Sequence, residues 1–264
     1  MDDLDRLSGL IKERGRIMVA FSGGVDSTLV ALATKKAWGD QALAVMVSNE
    51  TIPKHEVAEA ARIAEEIGIK MDLLRIDVLD DKEITSNNVD RCGLCKKKLM
   101  SLLLKMAWAK GFDTVADGTN ADDVEDYRPG LEASDRLGVW HPLMEAGIGK
   151  DRTREILKRH SISVFDKPST TCMMTRIPFG ESITLDKLDL IDAIEGQVRK
   201  AGLKDVRLRL FEARQGYIGI LEVNDPTRAV KKWKTIAKHS KGVRIALDPA
   251  GYRQGSLNPG SVSP

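Results

Sequence analysis

The sequence predicts an α/β protein: a doubly wound parallel sheet with a small C-terminal α+β domain. Three observations predict it. Short apolar runs alternate with helical patterns of ten to fifteen residues, as in βαβ units with helices on both faces of a sheet. The first unit, residues 17–32, joins a largely β-branched run to an apolar helical face through Ser22-Gly23-Gly24-Val25-Asp26-Ser27-Thr28. Beyond about Ile183 the order changes to helix, strand, strand, helix, strand.

Leu4, Leu7, Leu10 and Ile11 recur at helical spacing and form an amphipathic helix before the first strand, 17–21. Leu29, Val30, Leu32 and Ala33 open the next helix, and 42–47 is a second buried strand. Thr51 and Pro53 mark a helix start, and Gly68 closes that helix after an apolar face from Val57 to Ile67. Residues 70–76 form a third strand, 94–109 a helix ending at Gly111, and 114–116 a fourth strand. Val164 and Phe165 are expected as a last short strand. The domain boundary is placed near Ile183, giving a first domain over 1–182 and an α+β domain over 183–252. A Gly-, Ser- and Pro-rich, loosely ordered tail follows over 253–264. The second domain reads as helix 185–201, strands 206–211 and 217–223, helix 226–239 and strand 243–247. In open parallel sheets ligands bind beyond the carboxyl ends of the strands, which is where loop 22–28 and the polar stretch 118–131 fall.

Composition excludes several classes. The 264 residues are 42% hydrophobic and 30% charged, a soluble globular balance. Lys and Arg number 41 against 39 Asp and Glu, so a net charge of +2 announces no nucleic-acid binder. No apolar window is long enough to span a membrane, and the acidic start MDDLDRLSGL is no secretory signal. Three cysteines, an odd number, argue for a reducing cytoplasm rather than a disulfide framework.

Loop 22–28 has the makings of an anion site. Its glycines allow close backbone approach, and a helix N-terminus follows. The Lys of a kinase-type P-loop is missing, and Asp26 is unusual in a phosphate cradle unless a metal ion is near. SGGVDS resembles instead the PP-loop of ATP pyrophosphatases, which implies a domain of that type over 1–182. That resemblance also implies that ATP is cut between its α and β phosphates and that AMP is transferred to a substrate oxygen. An ordinary Gly-rich turn is the alternative, disfavoured by all six residues falling at a strand–helix junction. Cys92 and Cys95 lie just before or within the first turn of a lysine-rich helix, and Cys172 lies in a later loop. The spacing admits a redox pair, half of a zinc site, plain structural cysteines, or three ligands of a [4Fe-4S] cluster with one open iron. None of His55, His141, His160 and His239 sits within a few residues of a cysteine to complete a zinc site.

Asp117-Gly118-Thr119-Asn120-Ala121-Asp122-Asp123 with Asp126-Tyr127-Arg128-Pro129-Gly130 resembles the LarE family of PP-loop sulfur transferases. Cys172-Met173-Met174-Thr175-Arg176-Ile177-Pro178-Phe179-Gly180 resembles it too. So do Asp248, Gly251-Tyr252-Arg253 and Gly255-Ser256-Leu257-Asn258. The resemblance covers nearly the whole chain. It implies adenylylation of a pyridinium-3,5-dicarboxylate mononucleotide and replacement by sulfur, giving the thiocarboxylate that later binds nickel in the lactate racemase cofactor. The implied cofactors are ATP, Mg²⁺ and, in members with an added C-x-x-C, a [4Fe-4S] cluster on Cys92, Cys95 and Cys172. Other members use a lone cysteine at the Cys172 position as a sacrificial sulfur donor. The implied partners are a sulfide or other sulfur donor, a nickel-insertion protein and further copies of the chain.

Within that frame Ser22 to Thr28, Gly118 and Thr119 are expected at ATP, and Lys96 either at phosphate or as a solvated helix charge. Asp26, Asp117, Asp122 and Asp123 are candidates for Mg²⁺, a hard cation that takes oxygen ligands. Cys172, Asp26, Arg176 and Glu195 are the expected catalytic set. The alternation of residues 206–210 puts Arg207 and Arg209 on one strand face, suited to a phosphate or carboxylate, with Glu195 or Glu222 as acidic partner. The basic stretch Arg228, Lys231, Lys232, Lys234 and Lys238 reads as a solvated helix face anchored by Trp233. Rival readings are a tRNA thiolase, a nitrogen-transferring ligase that shares SGGVDS, and a nucleotide-gated Fe–S sensor without turnover.

Overall fold

The computed structural model describes residues 2–125, 129–253 and 256–257. The side chains of 124, 125, 129 and 130 are not described. The expected motif residues Asp126, Tyr127, Arg128, Gly255 and Asn258 therefore lie outside the described residues, as does most of the tail. The chain divides into two compact units, 1–77 with 92–170 and 78–91 with 171–264.

The first unit follows the predicted alternation. Its helices and strands run α1 (Asp3–Arg14), β1 (Ile17–Ala20), α2 (Val25–Trp38), β2 (Leu43–Ser48), α3 (Lys54–Ile67) and β3 (Lys70–Arg75). The strands pair in parallel in the order β3-β2-β1-β4, where β4 is Thr114–Ala116. Side chains alternate across this sheet as strand geometry demands. Ile17 and Val19 face a core shared with Leu7 and Ile11 of α1, Leu29 and Val30 of α2 and Ile63 of α3. Met18 faces the opposite core with Leu43, Val45 and Val115, closed by Met100, Leu103 and Leu104. Those three belong to the long helix Arg91–Ala109, which the unit boundary divides after its first residue. The sheet is thus covered on both faces.

Two details of this unit differ from expectation. Ser163–Asp166 is a 3-10 helix and not a strand; after Ser161, at φ +58, Lys167 N–H closes a turn on the Val164 carbonyl at 2.9 Å. The sheet also gains an unforeseen edge. Trp140 pairs in parallel with Ala116, with Trp140 N–H donating to Val115 O at 2.9 Å and Asp117 N–H to Trp140 O at 3.0 Å.

The chain order continues in the second unit with α4 (Lys82–Thr85), ahead of the long helix, which is α5 (Arg91–Ala109). The short α6 (Pro129–Arg136) and α7 (Pro142–Glu145), and then α8 (Lys150–Arg159), belong to the first unit. The rest of the second unit runs α9 (Leu185–Lys200), β5 (Arg207–Glu212), β6 (Tyr217–Glu222), α10 (Pro226–Lys231), α11 (Trp233–Ala237) and β7 (Arg244–Leu247). β5 and β6 form the expected antiparallel hairpin and β7 joins β6 in parallel. The single helix expected over 226–239 is two, interrupted at Lys232, and Ile236 rather than the half-buried Trp233 is its buried anchor. The boundary expected at Ile183 falls inside this unit. The physical reason is Asn87, buried at φ +59, whose Nδ2 donates to the carbonyls of Pro178 at 2.7 Å and Glu181 at 2.9 Å. Among the described residues no helix is long and apolar enough to cross a membrane.

Candidate functional site

The first unit gathers its polar groups at the carboxyl ends of β1 and β4. α2 begins at Val25 with Gly24 as N-cap and no side-chain cap, which leaves its first N–H groups for an anion. The loop braces itself internally: Ser22 and Ser27 hydroxyls lie 3.0 Å apart, and Ser27 Oγ donates to the Gly24 carbonyl at 3.2 Å. Gly23, at φ +68, also lies so close to α3 that a β-carbon there would stand 2.7 Å from Ala60 Cβ. Thr28 Oγ1 and Asp26 Oδ1 are buried without a hydrogen-bond partner. Burial and then the like charge of Asp123 push the Asp26 carboxyl up, and Asn120, Lys150 and Arg154 offset this only in part. A buried acid oxygen without a donor, beside a second carboxylate, is a donor set that fits a hard divalent cation.

The other three aspartates all have partners. Asp123 accepts Asn120 N–H at 3.2 Å, and its Oδ1 stands 3.2 Å from Lys150 Nζ. Asp122 accepts Lys150 N–H at 2.7 Å, at the start of α8. Asp117, at the end of β4, accepts from Lys96 Nζ at 3.0 Å, from Thr119 N–H at 3.0 Å, and pairs with His141 Nδ1 at 2.7 Å. Burial alone would raise the Asp117 carboxyl; the His141 hydrogen bond and the Lys96 charge hold it well below the carboxylate range instead. For His141, burial acts downward but the bonds and charges of Asp117 and Asp135 leave the imidazole raised above 6.5. Gly118 then packs directly on the loop helix, since a β-carbon there would lie 2.6 Å from Ser27 N. Lys96 is thus found on a carboxylate at the sheet's rim.

Sequence reasoning missed Lys167 and Glu56. Lys167 Nζ donates to the Gly23 carbonyl at 3.2 Å and to Glu56 at 2.8 Å, and it pairs with Glu59 at 3.1 Å. Thr170 Oγ1 donates to Glu56 at 2.8 Å. No spacing in the sequence signals this strut; a Glu in the first turn of an apolar helix is the one hint. Burial would raise Glu56, but hydrogen bonds from His55, Lys167 and Thr170 and the Lys167 charge bring it from 4.5 down to about 2. A depressed carboxyl contributes stability that is complete above its unfolded value and is lost as pH falls through the folded one. The melting temperature is therefore expected to fall faster between about pH 5 and about pH 3 in the native chain than in Glu56→Gln. Parallel pH curves for the two proteins would refute the strut.

In the second unit Cys172 caps a 3-10 turn, Met173–Arg176, and its carbonyl accepts from Thr175 Oγ1 at 2.8 Å. Arg176 is fully enclosed. Its Nε donates to Glu195 at 2.9 Å, and Nη1 donates to the Thr171 and Cys172 carbonyls at 2.9 and 3.1 Å. Glu195 also accepts from Leu208 N–H at 2.9 Å and from Arg199 at 3.2 Å. Arg207 and Arg209 do share a buried strand face. Arg209 donates to Glu222 at 2.8 Å and to the Thr175 carbonyl at 2.9 Å, while Arg207 stacks over Tyr252 at 4.9 Å. Glu222 thus serves Arg209, and Glu195 serves Arg176. The three buried guanidiniums share the interior, and burial followed by the Arg176 charge lowers Arg207.

No cysteine is in a disulfide: Cys92 is exposed and Cys95 buried within the first turn of α5, and Cys172 is half-buried. Arg91, which precedes Cys92, donates to Asn87 and to the Met174 carbonyl and lies over Phe179 at 5.0 Å. Among the described residues no three His, Cys, Asp or Glu side chains gather as a metal site.

A profile of the NAD synthase family matches residues 6–110. The chain is 31% identical to an uncharacterised protein of Synechocystis sp., over 97% of this chain and 96% of that protein. It is also 31% identical to the pyridinium-3,5-bisthiocarboxylic acid mononucleotide synthase of Lactiplantibacillus plantarum, over 96% of this chain and 92% of that protein. A tRNA-specific 2-thiouridylase of Thermoanaerobacter sp. is 25% identical over 79% of this chain and 67% of that protein.

Proposed function

This chain belongs to the LarE family of PP-loop sulfur transferases, and from that membership we propose an ATP-dependent sulfurtransferase acting on a pyridinium-3,5-dicarboxylate mononucleotide. The observation that carries the reading is the uncapped start of α2 beside the buried, unbonded Asp26 oxygen. A carboxylate is a poor acyl donor because its oxygen is a poor leaving group. Its oxygen attacks the α-phosphorus of ATP, the bond to the β-phosphate oxygen breaks, and pyrophosphate departs with the electron pair. A sulfur nucleophile from sulfide or another donor then attacks the acyl carbon, and AMP leaves with the electrons of the broken C–O bond.

Loop 22–28 receives the polyphosphate on its N–H groups and hydroxyls. Asp26 and Asp123 are the residues to hold Mg²⁺, which when bound neutralises phosphate charge. Lys96 spends one N–H on Asp117 and keeps others for phosphate. Arg207 and Arg209 offer guanidiniums to the mononucleotide's phosphate or carboxylate. Arg176 and Glu195 hold the Cys172 turn in place.

Three thiols without a fourth suit a [4Fe-4S] cluster on Cys92, Cys95 and Cys172 with one iron lacking a protein thiolate. Such a cluster, when bound, supplies an open iron for a sulfur ligand. Anaerobically purified protein is expected to hold about four iron and about four sulfide per chain, lost in each of Cys92→Ala, Cys95→Ala and Cys172→Ala. Pyrophosphate release is expected to require the pyridinium dicarboxylate mononucleotide. Iron-free protein that still forms one thiocarboxylate and loses mass at Cys172 would replace the cluster by a sacrificial cysteine. No pyrophosphate with that substrate, or release with tRNA instead, would overturn the reading.

A further inference from the structure

The geometry points to His141 as a positioning residue that fixes Lys96, through Asp117, for the polyphosphate of ATP. This rests on the nucleotide reading of loop 22–28. Asp117 has two oxygens with separate duties. Oδ2 takes Lys96 Nζ from α5 at 3.0 Å, while Oδ1 takes Thr119 N–H at 3.0 Å and faces His141 Nδ1 at 2.7 Å. The imidazole is itself held from the far side, where Nε2 meets Asp135 of α6 at 2.9 Å. Both ring nitrogens are therefore occupied, and the ring cannot turn without breaking a bond at each end.

The backbone sets this up. Trp140 pairs with Ala116, so His141 enters beside Asp117 as the next residue of an added edge. Gly118, the residue after Asp117, abuts Ser27 N and the Asp26 carbonyl carbon at the start of α2. A carboxylate whose angle is fixed by His141 therefore stands one residue from the phosphate loop and carries a half-exposed ammonium. Without His141, Thr119 N–H alone would restrain Oδ1, and the carboxylate could swing with Lys96 attached. Charge-assisted hydrogen bonds of this kind are the ones whose loss is felt at about tenfold or more.

The test is a double-mutant cycle read by ATP affinity in the presence of Mg²⁺, measured calorimetrically on the full chain. Lys96→Met and His141→Leu are each expected to weaken ATP binding by about tenfold. The double variant is expected to bind no more weakly than Lys96→Met alone, because the second change acts through the first. His141→Gln, which keeps a donor for Asp117, is expected to recover most of the affinity at an unchanged melting temperature. If the losses multiply in the double variant, or His141→Gln behaves as His141→Leu does, the inference fails. Binding without pyrophosphate release once the pyridinium dicarboxylate mononucleotide is added would sink the sulfurtransferase reading while leaving the cycle readable. Absence of ATP binding in the native chain would end both.

Discussion

Gly118→Ala is expected to abolish ATP turnover and to destabilise the first unit. The added methyl carbon would lie 2.6 Å from Ser27 N and 3.0 Å from both the Asp26 carbonyl carbon and Ser27 Cα. All three are backbone atoms of the phosphate loop and the first turn of α2, so no side chain can swing aside. Either the end of β4 or the helix start must move. Overpacking of this kind costs about 1–3 kcal/mol, and a shift of roughly 1 Å in a positioning element can cost about a hundredfold in rate. Gly149 offers the contrast. A methyl there would meet the carboxylate of Asp122, at 2.5 Å, the end of a side chain that can give way at the cost of its bond from Lys150 N–H. Gly149→Ala is accordingly the milder change. Urea unfolding and ATP titration of the two variants measure the difference; native-like ATP binding by Gly118→Ala would contradict the close approach.

Glu195→Ala is expected to cost the second unit about 3–5 kcal/mol, the usual consequence of removing one partner of a buried ion pair. Glu195 is wholly buried and is the counter-charge of Arg176 at 2.9 Å, a partner of Arg199, and the acceptor for Leu208 N–H. Its loss strands a guanidinium that shares the interior with Arg207 and Arg209. Replacing Arg176 and Glu195 together by apolar residues of similar volume is expected to cost less than the single change, since no uncompensated charge remains. Global stabilities run to only about 5–15 kcal/mol, so denaturant midpoints resolve the effect readily. The reverse ranking of single and double variants would show that the charge balance does not govern this core.

Local pattern carried the parts of the fold that sequence reasoning could reach. The apolar run before Ser22, the two glycines and the helical spacing after Thr28 place β1, the loop and α2 because each follows from neighbours within a few residues. The alternation around Arg207 and Arg209 predicted their shared face for the same reason. What periodicity could not show depends on contacts between distant residues. His141 is a lone histidine until a one-residue bridge from Trp140 to Ala116 brings it beside Asp117. Lys167 looks like a loop charge until α3 presents Glu56 to it. Val164 and Phe165 are apolar enough for a strand, yet hydrogen bonds three residues apart curl them into a 3-10 turn. The break at Lys232 likewise leaves no mark in a stretch without Gly or Pro between Thr227 and Lys238.

The second unit is discontinuous, and that has a consequence for biogenesis. A ribosome that has just completed residue 170 has supplied every residue of the first unit, yet the 78–91 excursion is still without its fold. The amide of Asn87 awaits carbonyls lying 90 or more residues downstream. Translation therefore leaves this excursion unpaired until the turn around Cys172 and the residues after it emerge. For the same reason a chain truncated after Thr170 is not a free-standing nucleotide module. It carries an unsatisfied strap from the other unit, immediately upstream of Cys92.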